Sequence, residues 1–188
     1  MKLLAFAASN SRNSINAAFV RHAAARFKAE IAPDAEIDLL DINDFEMPIY
    51  SVDREAEGGV PLPAHDFMKR IAGADALLIS LAEHNGHYPA AYKNLFDWAS
   101  RTGAKVYQNK PVAFLAASPG PGGAASVLKA AEVSAPFFGA DVKGALSVAN
   151  FHDVFDLQAG KVNDGALSDA LGHVLANLGA TTADAKAA

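Results

Sequence analysis

Five short apolar runs, each followed by a loop of small or polar residues and then by a helix-like stretch, limit the fold more than any other feature. The runs are Lys2–Ala8, Ala35–Leu40, Ala74–Leu81, Pro111–Ala117 and Val142–Val148, and helical patterns cover roughly 14–29, 62–73, 88–101, 122–138 and 163–178. Continuous apolar strands that alternate with helices are typical of a parallel sheet covered on both faces.

The length of the chain allows one such sheet. A chain of 188 residues, 51% of them hydrophobic, can bury one sizeable core. Five strand–helix units predict an α/β fold with a flavodoxin-like, doubly wound five-stranded parallel sheet in the order 2-1-3-4-5. We predict a single domain over residues 1–178 and a frayed tail over 179–188, where no apolar period remains.

Composition excludes several classes of function. The net charge is -5 and no block of Lys or Arg occurs, so we expect no nucleic-acid partner and no membrane partner. The chain contains no Cys, which excludes disulfides, thiolate metal sites and a cysteine nucleophile. The apolar part of the N-terminus is too short for a signal peptide, and no run is long enough to span a bilayer. These observations predict a cytoplasmic protein.

The loops after the first, third and fourth runs are the expected ligand site, because ligands of such folds bind at the carboxyl ends of the strands where the strand order reverses. The first loop, Ser9–Asn16, places hydroxyls, amides and one guanidinium at a helix N-terminus, a position that favours an anion. Ser14 alone could serve as a helix cap, but capping needs only one such residue. The loop therefore favours a terminal phosphate monoester.

The second and third loops leave more than one interpretation open. In the second, residues 83–89, Gly86 permits a sharp turn and Pro89 suits the start of a helix. A surface turn fits equally well, and His84 and His87 beside Glu83 make a metal site a weaker alternative. The third loop, Ser118–Gly123, is rich in Gly and Pro, so its backbone could approach a flat ligand; alone it is an ordinary turn.

Two longer patterns carry a resemblance to a known family. ASNSRNSIN at 8–16 is similar to G-S-x-R-x-x-S-x-N, with Ala8 in place of Gly and Arg12 one residue late. AEHNGHYPAAYKNLFDW at 82–98 resembles P-E-Y-N-x-S-x-P-G-x-L-K-N-x-x-D-W, with His84 in place of Tyr, and MPIYSVD at 47–53 resembles L-P-L-Y-x-x-D. Together with SPGPGG in the third loop, these patterns resemble the flavodoxin-like NAD(P)H-dependent FMN reductase family, which includes quinone, azo-dye and chromate reductases.

The resemblance implies FMN as cofactor and NADPH or NADH as co-substrate. It implies a small-molecule electron acceptor such as a quinone, free flavin, azo compound or chromate, and a homodimer or homotetramer. The flavin carries the chemistry, so no protein residue is expected to be catalytic. Two alternatives remain, a flavodoxin-type electron carrier without its own NAD(P)H oxidation and a flavin-free protein that binds another phosphate. The implied FMN contacts are Ser9, Ser11, Arg12, Ser14, Ile15, Asn16, Glu83, His84, Asn85, Gly86, Ser118, Gly120, Gly122 and Gly123.

Overall fold

Five parallel strands form the central sheet of the computed structural model, which describes the backbone of residues 1–187 and the side chains of residues 1–180. The strand order is β2-β1-β3-β4-β5, which confirms the predicted flavodoxin-like α/β fold. The strands are β1 (Lys2–Ala8), β2 (Glu36–Leu40), β3 (Ala76–Leu81), β4 (Pro111–Ala117) and β5 (Asp141–Val148).

Helices connect the strands and cover the sheet. They are α1 (Ile15–Glu30), α2 (Val52–Gly58), α3 (Leu62–Ala72), α4 (Ala90–Ala99), α5 (Ala125–Ser134), α6 (Phe151–Val154) and α7 (Gly165–Ala187), with 3₁₀ turns at Ile42–Phe45 and Ala135–Phe138. A short antiparallel hairpin, β6 (Phe155–Asp156) and β7 (Lys161–Val162), precedes α7. The tail predicted over 179–188 falls mostly on residues whose side chains lie outside the described part. Within that part, no helix combines the length and apolar character needed to cross a bilayer.

The sheet separates two hydrophobic cores, which explains why the central strands β1, β3 and β4 are apolar without alternation. Along β1, Leu4 and Phe6 face α3, α4 and α5, whereas Leu3 and Ala5 face α1 and α7. All four side chains are almost completely buried. A strand buried on both faces is apolar at nearly every position, and this is the pattern that made β1, β3 and β4 recognisable in the sequence.

Edge strand β2 alternates polar and apolar residues, and most of its side chains are only partly buried or exposed. Asp38 is paired there with the Arg70 guanidinium from α3, whose Nε lies 2.9 Å from Oδ2, and with Lys2 Nζ at 3.3 Å. Burial raises the pKa of the Asp38 carboxyl, but the Arg70 and Lys2 charges outweigh burial and the pKa is lowered. The ion pairs therefore tie the edge strand to β1 and α3.

The three loops of the expected site meet because their strands are neighbours and end at one level. Strand β1 lies beside β3, and β3 beside β4. Ala8 pairs with Leu81, and Leu81 pairs with Ala116. Residues 9–14, 82–89 and 118–124 consequently leave the sheet side by side.

Candidate functional site

The first loop ends in a capped helix whose first N–H groups are available. Ser14 is the N-cap of α1, and its Oγ accepts a hydrogen bond from Ala17 N at 3.2 Å. Ser9 Oγ accepts from Ser11 N at 3.3 Å, which tightens the loop. The N–H groups of Ile15 and Asn16 precede the first N–H that donates to a helix carbonyl, which is Ala18 N to Ser14 O, and the first turn carries no acidic residue. These N–H groups and hydroxyls suit an anion at the positive end of the helix dipole.

The Asn16 side chain is committed to the protein interior. It is 2% exposed, and its Nδ2 donates to Ala117 O at 3.1 Å. Its Oδ1 accepts from Ala117 N at 3.0 Å and from Ser80 Oγ at 2.8 Å. The side chain therefore fixes the start of α1 against the ends of β3 and β4, and only the Asn16 backbone N–H is left for a ligand.

The second loop folds as a two-residue hairpin. His84 N donates to His87 O at 2.9 Å, and His87 N donates to His84 O at 3.1 Å. Asn85 and Gly86 between them have φ angles of 53° and 79°, the left-handed pair of a type I′ turn, for which Asn-Gly is the preferred sequence. A Cβ added to Gly86 would meet no described atom within 4 Å. The turn therefore presents open backbone at its tip.

Glu83 links the second loop to the helix that follows the third. Its Oε2 accepts a hydrogen bond from Val127 N, in the first turn of α5, at 2.8 Å. The residue at the N-cap position of α5 is Ala124, which has no side-chain acceptor of its own. Glu83 supplies the missing cap from outside the helix and holds the two loops together.

Internal contacts shape the third loop. Ser118 Oγ accepts from Gly120 N at 3.1 Å, and Gly120 O accepts from Asn150 N at 3.0 Å. Gly123 has a φ of 60°, and a Cβ added to it would collide with Ser147 Oγ, which donates to Gly123 O at 2.7 Å. The close approach of β5 therefore requires glycine at 123 whether or not a ligand is bound.

The three loops enclose an open cavity of about 250 Å³. The predicted contacts that line it are Ser9, Ser11, Ser14, Ile15, Asn16, Glu83, His84 and Ser118. The cavity is also lined by four residues that were not predicted: Asn13, Ala82, Ala117 and Pro119. Two of them, Asn13 and Pro119, lie within the polar first loop and the Gly/Pro-rich third loop, from which the predicted contacts were chosen. Asn85, Gly86, Gly120, Gly122 and Gly123 lie on the same loops without lining this cavity. Arg12 lines a different cavity on the other side of the first loop.

The donor set of this cavity fits the phosphate end of FMN. Its described lining contains no Lys or Arg, so an anion would be held by the helix N–H groups and by the hydroxyls of Ser9, Ser11 and Ser14. The Glu83 carboxylate, the one acidic group in the lining, is directed to the α5 N-terminus by its bond to Val127 N. Neutral donors at a helix end match a phosphate monoester, as the sequence predicts.

Helix α4 after the second loop holds the segment that follows β2. Asn94 Oδ1 accepts from Tyr50 N at 2.8 Å, and Asn94 Nδ2 donates to Met47 O at 3.1 Å. Trp98 Nε1 donates to Pro48 O at 2.7 Å, and its ring packs edge-on against Tyr50 with centroids 5.0 Å apart. Asn94 and Trp98, which both belong to the motif at 82–98, therefore anchor residues 47–50.

Fold and site together define a flavodoxin-like α/β protein with a polar loop at the N-terminus of α1, at the carboxyl edge of its sheet. The sequence profile of the family described as NADPH-dependent FMN reductase matches residues 1–153, most of the chain. The protein belongs to this family, which confirms the resemblance found in its loops.

Characterised relatives carry related names. A 2-hydroxy-1,4-benzoquinone reductase of a Burkholderia species is 40% identical over 94 residues, which are 49% of each chain. An NAD(P)H-dependent FMN reductase of Pseudomonas aeruginosa is 34% identical over 120 residues, 64% of this chain and 61% of that protein. The chain thus matches about half to three fifths of the length of these relatives.

Solved structures with the same fold include flavoenzymes. FerB, an NAD(P)H:(acceptor) oxidoreductase from Paracoccus denitrificans, is 25% identical with a TM-score of 0.74, and the match covers 94% of both chains. The azoreductase AzrA is 19% identical with a TM-score of 0.63 over 98% of this chain and 100% of that chain. The second likeness supports the fold only.

Proposed function

We propose that the protein is an FMN-dependent NAD(P)H oxidoreductase that reduces a small acceptor such as a quinone, free flavin, azo compound or chromate. The observation that carries this proposal is the cavity in which the N-terminus of α1 and the hydroxyls of the first loop face the second and third loops. Membership of the NADPH-dependent FMN reductase family supports the same activity.

In this proposal the protein residues bind and orient. Ser9, Ser11 and Ser14, with the N–H groups of Ile15 and Asn16, hold the phosphate. The open turn at Asn85 and Gly86 and the third loop around Gly120 offer backbone to a flat ring. FMN held there would supply the redox chemistry that links NAD(P)H to the acceptor. No protein acid, base or nucleophile is assigned.

We infer further that the protein is a homodimer or homotetramer. Ile49, Val52 and Leu62 are 66%, 71% and 75% exposed, three large apolar side chains within 14 positions of the chain. Contiguous apolar surface left in water is typical of faces that meet another chain. Sedimentation equilibrium tests this inference, and a monomer at micromolar concentration would contradict it.

Cytoplasmic location follows from the proposed co-substrate, since reduced nicotinamide dinucleotides are supplied in the cytoplasm. Fractionation of cells that produce the full-length protein, followed by immunodetection, tests this part of the proposal. Recovery in the membrane or extracellular fraction would contradict it.

Anaerobic titration of the FMN-loaded protein with NADPH or NADH tests the proposed activity. Loss of the oxidised flavin absorption band is the expected result, and its return on addition of a quinone would complete the cycle. If dithionite bleaches the flavin but neither dinucleotide does, the protein is an electron carrier. If the purified protein binds no flavin, the first loop serves another phosphate.

A further inference from the structure

A second cavity lies on the opposite side of the first loop, between β1, the end of β2 and helix α1. Its volume is about 320 Å³. Arg12 from the first loop and Arg21 from the second turn of α1 both line it. Two guanidinium groups thus face one space beside the site described above, although they are nine positions apart in the chain.

Both guanidinium groups lack a partner within the part of the chain that the structure describes. Of the six arginines in the sequence, the other four donate to protein acceptors: Arg26 to Glu30, Arg54 to Ile49 O, Arg70 to Asp38 and Arg101 to Glu55. Neither Arg12 nor Arg21 has an acceptor among the described residues, and both are exposed. A guanidinium presents a fork of donors that matches phosphate oxygens in pairs.

This cavity adjoins the proposed FMN site. Ser9 and Ser11 line both cavities, so the first loop forms the wall between them. Asn43 lines the arginine cavity and also a third cavity of about 230 Å³, which extends to Ala90 at the start of α4. Shared lining residues therefore connect the surroundings of the two arginines with the first loop on one side and with the start of α4 on the other.

The remaining lining suits a purine nucleotide. Leu39 is 51% exposed and offers an apolar surface beside the guanidinium planes, on which aromatic bases stack well. The Asp41 carboxylate is the acidic group in the lining and would repel an anion. Its Oδ1 accepts hydrogen bonds from Asn43 N at 2.9 Å and from Asn43 Nδ2 at 2.8 Å. Two positive groups against one negative group leave a net positive charge around the cavity.

We propose that the cavity of Arg12 and Arg21 binds the adenosine 2′-phosphate of NADPH and makes NADPH the preferred co-substrate. The proposal rests on the proposed NAD(P)H oxidation. It assigns Arg12 to the dinucleotide rather than to the FMN phosphate, in agreement with the side of the loop on which Arg12 lies.

Calorimetric titration of FMN-saturated protein with 2′,5′-ADP and with 5′-AMP tests the binding site directly, since the two probes differ in the 2′-phosphate alone. We expect 2′,5′-ADP to bind at least about tenfold more tightly, because hydrogen bonds between charged groups are lost with 5′-AMP. Arg12→Ala and Arg21→Ala should each remove most of this difference. Lys28→Ala, which deletes an exposed cation at the far end of α1, is the matched control and should behave like the parent protein.

Equal affinity for the two probes, or unchanged 2′,5′-ADP binding in both arginine variants, would overturn the proposal and leave two solvated surface cations. Initial-rate kinetics separate it from the proposed function. Arg21→Ala should raise the KM for NADPH about tenfold or more while the KM for NADH and both kcat values stay within twofold. An equal rise for NADH would assign the arginines to the shared pyrophosphate and overturn the 2′-phosphate assignment. If the FMN-loaded protein oxidises neither dinucleotide, the proposed function fails, and calorimetry still decides whether the site exists.

Discussion

The amide group of Asn16 and the backbone of Ala117 exchange two hydrogen bonds, at 3.1 Å from Nδ2 to the carbonyl oxygen and at 3.0 Å from the backbone N–H to Oδ1. One residue lies in the first turn of α1, and the other ends β4, 101 positions later in the chain. Ser80 from β3 donates to the same Oδ1. The anion-binding end of α1 is thus held in place relative to the other two loops by the protein alone.

Replacing Asn16 by Ala should destabilise the protein without FMN by about 2–4 kcal/mol, since both buried backbone groups of Ala117 lose their partner. Urea unfolding of the flavin-free protein measures the change. Asn13→Ala removes an exposed amide from the same loop and is the control, for which we expect a change within about 0.5 kcal/mol. Unfolding of Asn16→Ala at the parent midpoint would refute the structural role of this side chain.

The central strands β1, β3 and β4 could be predicted from the sequence because they are almost entirely apolar, whereas the short elements could not. Helix α2 contains no buried residue, so it leaves no apolar period to recognise. The roles of Glu83 and Asn16 were beyond sequence reasoning for another reason. Their partners, Val127 and Ala117, lie 44 and 101 positions away, and only the folded sheet brings them together. The Asn-Gly turn at 85–86, by contrast, is a local signal and was visible as a sharp turn.

Affinity for FMN should exceed that for riboflavin by a large factor, because only FMN has the phosphate that the first loop is proposed to hold. Each hydrogen bond to a charged group contributes about 1.5–3 kcal/mol, and several are available. Fluorescence titration of the flavin-free protein with both ligands measures the difference. Equal affinities would remove the phosphate assignment of residues 9–16.

The variant Ser14→Asp tests the same assignment from the side of the protein. Asp is as good an N-cap as Ser, so the bond to Ala17 N and the stability of α1 should be kept. Its carboxylate would repel a phosphate, and FMN affinity should fall by at least about tenfold while riboflavin affinity stays unchanged. Arg12→Ala, on the other side of the loop, should change FMN affinity less than twofold. The reverse order of the two variants would mean that Arg12 reaches the FMN phosphate.

Stability in acid should depend on Asp38. A carboxyl group whose pKa is lowered in the folded protein stabilises it above the unfolded pKa, about 3.9, and this contribution is lost as the pH falls through the folded-state pKa. Asp38→Asn should therefore lower the free energy of unfolding by about 1–3 kcal/mol at neutral pH, with a difference that shrinks steadily below about pH 4.

Asp66→Asn is the control for Asp38→Asn, since the Asp66 carboxylate pairs with Lys69 on an exposed face of α3. An exposed pair of this kind contributes little, and the variant should match the parent protein within about 0.5 kcal/mol at every pH. Urea unfolding from pH 7 to pH 3 gives both curves. A difference for Asp38→Asn that does not depend on pH would mean that its carboxylate charge has no part in stability.

Substitution of two glycines of the site should have different effects, one mainly on stability and the other mainly on flavin binding. Gly123→Ala would press a methyl group against Ser147 Oγ and to 3.1 Å from Ala149 N, so the flavin-free protein should lose about 2 kcal/mol or more. Gly86→Asn meets open space at φ 79°, a region that Asn tolerates, so stability should fall by only about 1 kcal/mol or less.

The new side chain of Gly86→Asn would nevertheless stand over the turn where the flat ring is proposed to lie. FMN and riboflavin affinity should then fall by the same factor, unlike the selective loss in Ser14→Asp, and fluorescence titration of both ligands compares the two variants. If Gly86→Asn binds both flavins as the parent does, the second loop is a surface turn that does not touch the ring.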